Sequence, residues 1–69
     1  MHFVFETPEA ERELSLDMPV PEVGSYLRWE FNEVPHANRI EPGLYRVTKT
    51  IWSISPVIVV RLTLEPVTS

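Results

Sequence analysis

Three glutamates at alternate positions, Glu9, Glu11 and Glu13, are the first residues whose type and spacing suggest chemistry, because paired carboxylates serve general acid–base catalysis. Catalysis also needs a nucleophile or base and a cleft to hold substrate. Alternate positions on an exposed strand instead place these three on one solvated face. Serines 15, 25, 53, 55 and 69 have no adjacent histidine and no glycine-rich elbow, and the chain contains neither GxGxxG nor GxxxxGK[ST]. His2 and His36 lie far apart, and cysteine is absent, so a zinc site would have to be gathered from distant carboxylates. A ligand pocket of roughly 300 Å3 or more would consume most of the core of so small a domain. The residues therefore argue against an enzyme, a metal and a cofactor.

Surface recognition is the chemistry that is left, and it has two candidate carriers. The first is charge. Residues 1 to 33 hold eight acids against Arg12 and Arg28, whereas residues 34 to 69 hold Glu41 and Glu65 against four bases, which divides the net −4 into −6 and +2. Such polarity can steer encounter with a basic partner, and it also arises from ordinary solvated faces. Glu9, Glu11, Glu13 and Asp17 are the acids to suspect. The second carrier is aromatic. Tyr26 and Arg28 face away from the expected core and either stack on a partner or pair with neighbouring strands. Trp52 is an interface anchor if its strand keeps the phase of Tyr45, Val47 and Ile51, and a core residue if a bulge resets that phase. Arg46, Lys49, Trp52 and Arg61 would suit single-stranded nucleic acid, but ten acids oppose backbone binding over the rest of the surface.

These residues need elements to position them, and the patterning is that of β-strands. His2-Phe3-Val4-Phe5-Glu6 alternates as a half-buried strand does. Glu11 to Met18 alternates polar residues with Leu14, Leu16 and Met18; its rival is a short helix starting at Thr7 with Pro8 in its first position. Met18 to Gly24, with two prolines and a glycine, is a connector. Ser25 to Phe31 then puts Leu27, Trp29 and Phe31 on one face. Asn32 to Gly43 is a long irregular segment carrying His36, Asn38 and Arg39, either a functional loop or a crossover over an open barrel end. From Leu44 to Ile54 the alternation loses phase, which predicts a bulge or bend near residues 48 to 50. The run from Val57 to Leu64 completes a hairpin around Ser55-Pro56, and it is apolar on both faces at its start.

Sixty-nine residues make one small all-β domain with a thin stability margin and no disulfide to reinforce it. Oligomerisation is the remaining common reinforcement, and pairing of Val57 to Val60 across a two-fold axis would supply it. The longest apolar run, those same four residues, is far too short to span a bilayer, so a soluble cytoplasmic protein is expected.

Pro21-Glu22-Val23-Gly24, Leu44-Tyr45-Arg46-Val47, Trp52 and the Val57 to Leu64 run together resemble the layout of small SH3-like barrel proteins encoded by phages and other mobile elements. The resemblance spans residues 21 to 65. It implies a five-stranded, strongly bent antiparallel sheet, no catalytic residues, and function in loops and open edges. Small acidic phage proteins are often inhibitors or modulators of host machinery, anti-CRISPR proteins among them, so the resemblance implies a non-enzymatic protein-binding module in the host cytoplasm. Its expected contact residues are Glu9, Glu11, Glu13, Asp17, Tyr26, Arg28, His36, Arg39 and Trp52. The alternatives are a single-stranded nucleic-acid-binding barrel and a structural component of an assembly.

Overall fold

A computed structural model describes residues 1–31 and 38–68. Five strands, β1 (His2–Glu6), β2 (Glu11–Ser15), β3 (Tyr26–Trp29), β4 (Gly43–Ile54) and β5 (Ile58–Pro66), form one sheet in the order β2-β1-β5-β4-β3, curled into a half-barrel. No helix among the described residues is long and apolar enough to cross a membrane.

The expected all-β class holds, but the sheet is mixed rather than antiparallel. β1 pairs antiparallel with β2 and parallel with β5, in the register Phe3↔Val60 and Phe5↔Leu62. The reason lies in β5, whose apolar residues need neighbours on both sides. β4 supplies one side through the hairpin, and the parallel placement of β1 brings two phenylalanines to the other.

Local chemistry explains the connections. Between β1 and β2 the chain turns at Thr7-Pro8-Glu9-Ala10: Thr7 N–H donates to the Ala10 carbonyl at 2.8 Å, and Thr7 Oγ1 accepts from the Ala10 and Glu9 amides at 3.0 and 3.3 Å. The helix that could begin at Thr7 is thus replaced by a turn that the same threonine and proline stabilise. β2 ends at Ser15, earlier than the alternation suggests, although Leu16 and Met18 still pack on the core. Before β3, Gly24 adopts φ +93°, a conformation that side-chain-bearing residues rarely take. Its amide reaches the Val47 carbonyl at 2.7 Å while the Val47 amide donates to Ser25 at 2.9 Å, which extends the β3–β4 pairing by one step. The phase loss in β4 is a bulge: the register shifts between Val47 and Lys49, opposite Leu64 and Thr63.

The core gathers Phe3, Phe5, Trp29, Ile40, Tyr45, Val47, Val60, Leu62 and Leu64 on the concave face. Phe5 meets Trp29 edge to face at 5.2 Å, and Trp29 meets Phe31 at 4.9 Å, but Phe31 lies at the rim and is 42% exposed. Val4, on the opposite face of β1, is also buried, because its cross-strand neighbours are Glu13 and Arg61, long side chains whose stems can cover it. Tyr45 is buried with its hydroxyl donating to the Glu41 carbonyl. Burial, and then the Glu41 charge, raise its pKa above the ordinary phenol value. A group raised in the folded state favours the protonated form, so this contribution is complete below pH 10 and is lost as pH climbs through the folded pKa. Alkaline titration followed by circular dichroism should show stability falling above about pH 10, with a smaller fall in Tyr45→Phe.

Candidate protein-interaction surface

The sheet order decides which of the expected contact residues meet. The acids lie on and around β2, while Tyr26 and Arg28 lie on β3, the opposite edge strand. They do not form one site.

On the β2 side, Glu9, Glu11 and Glu13 line a shallow cleft with Glu6, Pro8 and Asn38. Several of these carboxylates already have partners. His2 Nε2 lies 2.7 Å from Glu13, and Arg61 donates to Glu6 at 2.7 Å and lies 3.6 Å from Glu11. His2 stands on β1, which the β1–β2 hairpin places beside β2, whereas Arg61 stands on β5, and only the parallel β1–β5 pairing brings it within reach of Glu6 and Glu11. The hydrogen bond that Arg61 donates to Glu6, and then the Glu6 charge, raise the Arg61 pKa further, so the guanidinium stays charged. Asp17 lies past the end of β2 and is exposed.

On the β3 side, Tyr26 and Arg28 are exposed on the outer face. Tyr26 sits opposite Arg46 in the β3–β4 register, and Arg46 pairs with Glu65 at 3.4 Å. Arg39 is half-hidden and grips both oxygens of Glu41, at 3.2 and 2.7 Å. His36 lies outside the described residues.

Trp52 takes a position between its two expected ones. The bulge does reset the phase, so Trp52 stands on the core side of the sheet opposite Val60. Yet it is 50% exposed. β4 runs for 12 residues, whereas β3 pairs only with Gly43 to Arg46 and the pairing of β1 on β5 begins at Val59. The end of the hairpin therefore projects past the elements that would cover it. Ile54 is 81% exposed there, and Ile51, Val57 and Ile58 are exposed with it. Residues 50 to 58 carry no charge. Beyond Val47, moreover, β4 has no strand on its outer side among the described residues, so its backbone from Thr48 to Ile54 is an open edge. A sequence signal for this patch exists: apolar residues of both parities at the start of β5 have more apolar surface than one core can cover.

Among the described residues, no three histidine, cysteine or acidic side chains gather in a way that could hold a metal ion. No protein-family model, curated protein or solved structure matches the chain, so its own surface chemistry carries the functional reading.

Proposed function

We propose that the chain is a non-enzymatic protein-interaction module whose contact surface is the β4–β5 hairpin end together with the open outer edge of β4. One observation carries this reading: Ile51, Trp52, Ile54, Val57 and Ile58 are all exposed within eight residues of chain, with Trp52, Ile54 and Ile58 on one face, beside strand backbone that no described strand pairs. Monomeric soluble domains scatter such residues singly, and a contiguous apolar patch usually marks an interface. A tryptophan at the centre of the patch is the residue type that most often anchors one. An open strand edge adds main-chain donors and acceptors, to which an incoming strand can bond. Nucleic-acid binding is less well supported, because Arg46 and Arg61 are engaged by Glu65, Glu6 and Glu11 rather than arrayed around Trp52.

The test is co-purification. A tagged copy is recovered from nuclease-treated lysate of cells that also express an untagged copy, and the retained proteins are identified by mass spectrometry. Ile54→Glu, at a side chain the fold scarcely uses, should lose the retained partner, whereas reversing Glu9, Glu11 and Glu13 to lysine should keep it. The opposite pattern would move the interaction to the acidic face and overturn the reading.

A further inference from the structure

We infer that the occupant of this surface is a second copy of the chain, added antiparallel along the outer edge of β4 with Trp52 on a two-fold axis. This rests on the reading of the hairpin end as a contact surface and names its partner.

The sheet itself limits the possible registers. Gly24 and Ser25 bond to Val47 and close the edge up to that residue, so a neighbouring strand can begin only at Thr48. A two-fold axis perpendicular to the sheet keeps the same faces together only if residues of equal parity oppose each other. With Trp52 on the axis, Thr50 faces Ile54 of the second copy and Ile51 faces its Ser53. The turn residues Ser55 and Pro56 of that copy then fall opposite Lys49 and Thr48, just clear of β3. Centring on Ile51 would drive Pro56 into the segment of β4 that β3 already occupies, opposite Arg46.

This register is self-complementary. In each off-axis pair a small side chain opposes a large one, Thr50 against Ile54 and Ser53 against Ile51, and the two tryptophans meet at the centre. Charge agrees with it as well. Each copy carries −4, which opposes association, but the strip from residue 50 to residue 58 is uncharged, and Lys49 meets Ser55 rather than itself. The acidic β2 edges lie at the far ends of the combined sheet, because β2 and β4 are separated by β1 and β5. Of the exposed apolar side chains, Ile51, Trp52 and Ile54 stand on the strand to which the second copy adds, and the strand backbone adds its own donors and acceptors to the contact. A foreign strand would find no charge pattern here to select it.

Sedimentation equilibrium from micromolar to roughly millimolar concentration tests the inference. The mass should rise from 8.0 kDa towards twice that value. Added salt should tighten the dimer by screening the acidic repulsion, and Trp52 emission should shift to the blue with concentration while the buried Trp29 stays constant. Ile54→Glu should weaken self-association by about 100-fold, the scale of an unpaired charge placed in an interface. Val67→Glu adds the same charge at an exposed apolar residue beside Leu44, at the other end of β4, and should leave the dimer intact. A wild-type chain that stays at 8.0 kDa, or a dimer indifferent to Ile54→Glu, overturns the second copy as occupant. If Ile54→Glu nevertheless abolishes capture of a different protein from lysate, the contact surface stands and only its partner changes. If it alters neither, both readings fall.

Discussion

Leu62→Ala should cost about 3–5 kcal/mol and lower the midpoint of thermal unfolding by more than 10 °C, roughly, because the lost side chain leaves a cavity that a small sheet cannot close. Leu62 is fully buried at the middle of β5, the central strand, with Phe5 beside it on β1 and Thr50 on β4. Both neighbours are held by backbone pairing and cannot collapse inward without breaking a ladder. A chain of this length has a total stability of about 4–10 kcal/mol on the usual per-residue scale, so this one substitution removes a third of it or more. Thr50 provides a control of opposite sign at the same place. Its Oγ1 is buried without a hydrogen-bond partner, so Thr50→Val keeps the shape, removes the unpaired hydroxyl and should stabilise by about 1 kcal/mol. Urea unfolding followed by tryptophan fluorescence measures both. A loss below about 1 kcal/mol for Leu62→Ala would mean that the centre of β5 is loosely packed.

Period-2 alternation made most of these elements legible in the sequence. Phe3 and Phe5, Leu27 and Trp29, and Val60, Leu62 and Leu64 share faces as the pattern requires, because each strand buries one side against the same concave core. The bulge was readable too, since one extra residue shifts the parity of a β-rich run without ending the strand. Strand neighbours were not readable. Alternation states which residues share a face and nothing about which strand lies alongside, and the Glu6–Arg61 pair joins residues 55 apart in the chain. The parallel β1–β5 pairing and the burial of Val4 both follow from that long-range choice. Thr7-Pro8-Glu9-Ala10 shows the limit in the other direction, because a threonine before a proline serves equally at the start of a helix and at a turn.

The candidate surface was half legible for a related reason. Parity left Trp52 on either face, according to whether a bulge reset the phase, and its exposure depends on how far β4 outruns β3 and β1, a mismatch in strand lengths that appears only when the sheet is assembled. Two of the acids that looked available in the sequence prove partly engaged, Glu13 by His2 and Glu11 by Arg61, which also bonds Glu6. The apolar residues at the hairpin end, which resemble core in the sequence, are the ones left uncovered.

Removing residues 1–6 should abolish folding altogether, although a chain terminus is usually the cheapest place to cut. Phe3, Val4 and Phe5 are all buried, and β1 is the only described strand that bonds β2 to the rest of the sheet. Without it β2 loses its strand partner among the described residues, half of the aromatic core is gone, and β5 becomes an edge with apolar residues on both faces. Long, apolar open edges pair with other chains, so the shortened protein should aggregate rather than form a smaller stable sheet. Nuclear magnetic resonance of the shortened chain would show collapsed amide dispersion or loss of signal. A synthetic peptide of residues 1–7, added in excess, should restore dispersion if the parallel register Phe3↔Val60 and Phe5↔Leu62 provides the lost contacts. The same peptide with Phe3 and Phe5 replaced by serine should fail. A shortened chain that keeps native dispersion would show that β4 and β5 form the fold without β1, and that the mixed sheet is not what holds β5 in place.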